Sequence, residues 1–172
     1  HPRPWSMMKA CGAVRYSDDI VVPGALEAAA VRSPHHNARI ISIDSSEAQT
    51  MPGVIGVMTA ADIQGSNSVA IITPDEPILC AEFATVMGAP VAAVVAQTRE
   101  QARAAAAAVR VEYEELPRIA TAVEALAPGA PKVNPDPDYP NEVYTVAQIK
   151  GDADGAIASS KHVIKEKFTT QL

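Results

Sequence analysis

Few residues in this chain have the chemistry to do more than pack, and they come in short runs. His35-His36 sets two imidazoles side by side, and imidazole is the commonest metal ligand among side chains. Adjacent residues on a strand point to opposite faces, so the pair could hold one ion only from a loop, and no third ligand stands nearby. It reads as a solvated turn before a strand. Glu112, Glu114 and Glu115 offer carboxylates for acid–base work, and on a strand Glu112 and Glu114 would share a face about 7 Å apart. Nothing in the pattern turns that face toward a pocket, so a solvated strand face is expected. Asp18-Asp19 in "YSDDIVVPG" reads as an acidic turn rather than a cation site. Cys11 and Cys80 form no C-x-x-C pair, so two reduced thiols are expected, with a disulfide as the alternative.

The phosphate and nucleophile signatures are missing as well. There is no G-x-G-x-x-G, no P-loop and no G-x-S-x-G elbow; Gly53, Gly56 and Gly65 only punctuate short elements. No catalytic, cofactor-binding or metal-ligating residue is assigned from these patterns. Lys and Arg number 14 against 20 Asp and Glu, and a net charge of −6 without a basic cluster argues against nucleic acid. No apolar run approaches the ~20 residues of a membrane helix, and "HPRPWSMMKACG" lacks the apolar centre of a signal peptide. A cytoplasmic protein without a membrane partner is expected. The chain opens on His rather than Met, which suggests a fragment.

The elements that would position any site are clearer. Strands are expected over 24–34 ("GALEAAAVRSP"), 38–44 ("ARIISID") and 54–59 ("VIGVMT"), with a helical turn in "SSEAQTMPG" between the last two. "TAADIQG" reads as a short helix with Thr59 as N-cap and Gly65 as its stop. Residues 66–80 look loop-like, with Pro74 and Pro77. "PVAAVVA" (90–96) is continuously apolar and is expected to be buried on both faces. Thr98 and Gln101 make a capping-box pattern for a helix over 99–108, which feeds the alternating strand "VRVEYEEL" (109–116). Thr121 caps a further short helix. Five prolines over 128–143 (128, 131, 135, 137 and 140) predict an extended, stiff linker. Asp152 caps one more helix, and 161–171 alternates as a last strand. The fold class is α+β, a small mixed sheet with short helices packed on it.

Four phrases, in their order and spacing, resemble one family. They are "YSDDIVVPGALEAAAVRSPHHNARIISIDSSEAQTMPGVIGVMTAADIQG", "PDEPILC", "MGAPVAAVVAQTREQARAAAAAVRVEYEELP" and "IKGDADGAIASSKHVIKEKFTTQ". Across residues 12–171 the chain is similar to the α/β hammerhead domain of the xanthine dehydrogenase/aldehyde oxidoreductase (molybdenum hydroxylase) family. "DSSEAQTMPGV", "GSNSVAIIT", "PILCAEF" and "NEVYTVAQIKGD" place it nearer to the aldehyde oxidoreductases. Ala89 departs from the polar residue, often Gln, that many members carry in the turn before the buried strand.

The resemblance implies three parts: a hammerhead domain over 1–127, the Pro-rich linker over 128–143, and a short helix with a final strand over 144–172. It implies a parent oxidoreductase that hydroxylates an aldehyde or heterocycle with water-derived oxygen. The parent would use molybdopterin and [2Fe–2S] clusters, with FAD as an optional further cofactor, and would be oligomeric. The family's cofactor loops and catalytic Glu lie further along than Leu172, and its iron–sulfur cysteines lie in another region or subunit. The fragment is therefore expected to be inactive alone, to bind no cofactor, and to have the remaining molybdenum-binding domain and the iron–sulfur domain as partners. Its alanine-rich helix would suit close packing against them. Two other readings stand beside this one: a free-standing protein-interaction module with a hammerhead fold, and a small metal enzyme centred on His35-His36.

Overall fold

The seven-residue run PVAAVVA has no polar side chain to offer water, and it becomes the central strand of a sheet. The computed structural model describes residues 3–69, 75–134 and 139–169. In chain order the elements are helix α1 (Ser6–Ala10), strands β1 (Glu27–Arg32) and β2 (Ala38–Asp44), helix α2 (Ser46–Thr50) and strand β3 (Val54–Thr59). Strands β4 (Phe83–Ala84) and β5 (Pro90–Ala96), helix α3 (Arg99–Ala108), strand β6 (Arg110–Glu115) and helices α4 (Ala122–Ala125) and α5 (Ala153–Ser159) follow. The chain divides into two compact units, 1–141 and 142–172.

The first unit holds two antiparallel sheets, ordered β1-β5-β3 and β4-β2-β6. The α+β class stands, with two antiparallel sheets in place of one small mixed sheet. Pro34 lacks the N–H that would continue the β1 ladder, so β2 is released to pair elsewhere. For the same reason β1 ends at Arg32, and the expected strand over 24–34 is trimmed at both ends.

In the β1-β5-β3 sheet the rows Ala29–Val94–Val57 and Val31–Ala92–Thr59 lie on the face covered by α3. Ala102 and Ala105 of α3 are fully buried, as are Ala92, Val94 and Ala96 of β5. Fully burying a side chain such as Val94 stabilises by about 1.5–3 kcal/mol. Two of the helix's alanines, Ala102 and Ala105, thus serve the chain's own sheet, while Ala104 and Ala107 stay exposed. Glu27 and Arg99 pair at 3.7 Å across the same seam.

The helix start is as expected. Thr98 Oγ1 accepts from the Gln101 N–H (3.3 Å), and Gln101 Oε1 accepts from the Thr98 N–H (3.1 Å). Gly53 (φ +80°) passes directly beneath this cap, where a Cβ would lie 2.3 Å from Gln101 Oε1. The Thr59 turn is shorter than predicted: a 3₁₀ turn over Ala60–Asp62 that ends before Gly65. Each sheet also slips register. Val91, Ile41 and Ile55 have no cross-strand partner in their ladders, so β5, β2 and β3 each carry a bulge.

The described part of 128–143 is not a free extended tether. Asn141 Nδ2 donates to the carbonyls of Ala125 (2.8 Å) and Pro131 (2.9 Å), and its Oδ1 accepts from the Val133 N–H (2.9 Å). Pro135 and Pro137 lie outside the described residues, as does Pro74 of the earlier loop. In the second unit Asp152 Oδ1 caps α5 by accepting from the Gly155 N–H at 2.9 Å. The last strand expected over 161–171 is absent from 161–169, and 170–171 lie outside the described residues. A strand needs a neighbour for its backbone N–H and C=O groups, and the described part of this unit holds none.

The α3–β5 seam leaves no room for larger groups. Ala105→Leu should lower stability by about 1–3 kcal/mol, whereas Leu at the exposed neighbour Ala104 should stay within about 0.5 kcal/mol. Thr98→Ala should cost about 1 kcal/mol by uncapping α3. Urea denaturation of the three variants against the parent chain measures all three effects.

Candidate functional site

The turn between β1 and β2 brings together most of the residues with chemical potential. Ser33 is buried, with its N–H donating to Ala89 O (2.9 Å) and its carbonyl accepting from the Gly88 N–H (2.8 Å). Its hydroxyl accepts from the His35 N–H at 3.2 Å, which closes the turn. That turn sends the two histidines apart: His35 is half-buried and His36 exposed. His35 meets the Tyr113 ring edge-on, with centroids 5.1 Å apart at 62°. Its Nδ1 lies 3.8 Å from Glu115 Oε2. Among the described residues no group of three or more His, Cys, Asp or Glu is placed to hold a metal ion.

The glutamates of β6 are spread by strand alternation. Glu112 accepts from Ser42 Oγ at 3.3 Å on the neighbouring strand, and Glu112, Glu114 and Glu115 are all exposed. Asp18 and Asp19 sit in a 3₁₀ turn, where Asp19 Oδ2 accepts from the Tyr16 N–H at 2.9 Å. Both cysteines are free thiols, Cys11 exposed and Cys80 buried.

Cys80 is the residue whose position the sequence did not disclose. It lies where two grooves meet. One, of about 490 Å³, runs between β2 and the Ala60–Asp62 turn. The other, of about 630 Å³, is bordered by Arg32, Asp75, Glu76, Met87 and Pro90. Burial pushes the Cys80 thiol up, so it stays protonated and is a poor nucleophile. Burial also raises Tyr113; the nearby Ser33 hydroxyl lowers it by less, although its geometry makes no hydrogen bond to Oη, and Cys80 adds a further rise.

The polar groups lining the first groove are already engaged. Ser42 serves Glu112, Thr59 serves Asp62, and Asn67 clasps the Leu79 backbone through both ends of its amide, at 2.7 and 3.1 Å. Among the described residues two buried side-chain atoms have no partner: Tyr113 Oη and Asn37 Oδ1. The alternation of "VRVEYEEL" marked Tyr113 as inward, but no sequence signal marked its hydroxyl as unpaired. An apolar groove, a protonated thiol and an unpaired phenol do not make a nucleophile–base pair.

Comparison with known proteins bears on what such a domain belongs to. The sequence profile described as "Aldehyde oxidase and xanthine dehydrogenase, a/b hammerhead domain" matches residues 11–117. A probable xanthine dehydrogenase subunit of Bacillus subtilis is 33% identical over 166 residues, covering 96% of this chain and 22% of that protein. Xanthine dehydrogenase 1 of Arabidopsis thaliana is 42% identical over 120 residues, covering 69% of this chain and 9% of its own length. The solved aldehyde oxidoreductase from Desulfovibrio gigas superposes with a TM-score of 0.77 at 34% identity, over 94% of this chain and 19% of that one. The chain thus spans about a fifth or less of these relatives.

The local carboxylates set a pH dependence. Asp62 is held below the ordinary 3.8 by the Thr59 N–H and then the Thr59 hydroxyl. Asp44 is held below it by the Ser46 hydroxyl and then the Ser46 N–H. A folded-state pKa below the unfolded one gives stability that is complete above the unfolded value and lost as pH falls through the folded one. Urea midpoints should therefore drop on acidification below pH 3.8, and less steeply in a D44N/D62N double variant. Tyr113→Phe, which removes an unpaired buried hydroxyl, should leave the midpoint equal or higher.

Proposed function

The chain belongs to the aldehyde oxidase and xanthine dehydrogenase a/b hammerhead family, and we propose that it is the scaffold portion of the large, molybdenum-binding subunit of such an oxidoreductase. The observation that carries this reading is the match to about a fifth of much longer relatives, one of them named as a subunit. The parent enzyme, on this reading, hydroxylates an aldehyde or a heterocycle with water-derived oxygen. Its molybdopterin supplies the site of oxidation, and [2Fe–2S] clusters, with or without FAD, carry the electrons away. The described residues offer no donor set that fits such a metal centre, so no step of the reaction is derived through them.

The role proposed for residues 1–127 is to hold neighbouring parts of the subunit, with 128–143 and 144–172 leading toward the cofactor-binding region. Two free thiols support a reducing, cytoplasmic setting. No helix among the described residues is long and apolar enough to cross a membrane.

Reading the gene tests the proposal first. The frame should continue past Leu172 into glycine-rich cofactor loops; a stop codon there would favour a free-standing interaction module. In the full-length enzyme, Glu112→Gln and His35→Ala should leave kcat within about twofold of the parent. A large loss of kcat with both variants folded would return these residues to the active site and overturn the scaffold reading.

A further inference from the structure

The sheet β1-β5-β3 has two faces, and α3 covers one. On the face away from α3, two rows cross all three strands: Ala28–Val95–Gly56 and Ala30–Ala93–Met58. None of these six residues has a side chain with a charge or a hydrogen-bonding group. Ala28 and Ala30 are exposed, Ala93 and Val95 only half-buried, and Met58 is 44% exposed. An antiparallel sheet with one face in water normally alternates apolar and polar residues along each strand. Here β5 is apolar at every position, the pattern of a strand covered on both sides.

The bulge in β3 adds to this face. It leaves Ile55 without a cross-strand partner beside Gly56, 57% exposed, and bulges commonly re-aim a side chain toward a site of use. The outer side of α3 is mixed instead: charged Arg99, Glu100 and Arg103 stand exposed there beside Ala104 and Ala107.

We infer that the outer face of the β1-β5-β3 sheet is where the remainder of the large subunit seats, through an uncharged surface packed on Ala30, Ala93 and Met58. The inference rests on the scaffold reading. Length argues for this occupant: about four-fifths of a relative such as the Bacillus subtilis protein lies outside the matched portion. The small side chains make a shallow floor, so the covering backbone can approach closely. A second copy of the chain would leave the bulk of each relative's length without a seat.

Maleimide labelling of the full-length native enzyme, read peptide by peptide by mass spectrometry, tests this. Met58→Cys and Ala30→Cys are placed singly in a Cys11→Ser background, with Glu112→Cys on exposed β6 as the reference. Both face positions should react about tenfold or more slowly than the reference. Equal rates at all three sites would overturn the docking face and leave the scaffold reading intact. Protection that disappears on dilution would assign the face to a second copy instead. A frame that stops at Leu172 would remove the scaffold reading and this inference together.

Discussion

The contact between the alanine face of α3 and strand β5 sets the geometry of the larger unit. Ala102 and Ala105 lie against a strand whose Ala92, Val94 and Ala96 are themselves fully buried. Side chains this small let helix and sheet approach closely, and protein interiors tolerate little error in such a fit. The seam is pinned where the helix begins, by the Thr98–Gln101 box and by Gly53 beneath it. It is also pinned where the helix ends, because buried Val109 turns the chain directly into β6. Strand β6 then pairs with β2 and builds the second sheet. One helix-on-strand contact therefore orients both sheets.

Several polar side chains of the larger unit are spent on local structure. Asp62 holds the Thr59 turn, Asp44 holds Ser46, Asn67 clasps Leu79, and Asn141 gathers the proline-rich segment onto α4. The chain has 20 acidic residues and four histidines, and among its described residues no three or more His, Cys, Asp or Glu come together in a group that could hold a metal ion.

Local signals in the sequence were legible wherever the cause was local. Strands over 38–44 and 54–59 and the helix over 99–108 appear with the expected bounds, because alternation, capping and propensity act within a few residues. The demotion of Glu112 and Glu114 to a strand's outer face was also readable, since alternation alone separates them from Val111 and Tyr113. The pairing of His35 with Tyr113 was not, because it joins a turn to a strand nearly eighty positions away. The strand expected over 161–171 does not form over 161–169 for a related reason: alternation describes a segment able to pair, and says nothing about whether a partner is present.

The sequence alone pointed to the family, which the profile match over residues 11–117 and relatives about a third identical bear out, and it determined most individual elements, because periodicity and caps are short-range. Only the tertiary structure decided that there are two antiparallel sheets, that Cys80 is buried where two grooves meet, and that Ala102 and Ala105 of α3 face their own sheet. Those outcomes depend on long-range register and on which surfaces meet, and neither is written in any one stretch of the chain. The strand PVAAVVA joins the two levels. Its apolar run calls for cover on both faces, and α3 supplies cover on one.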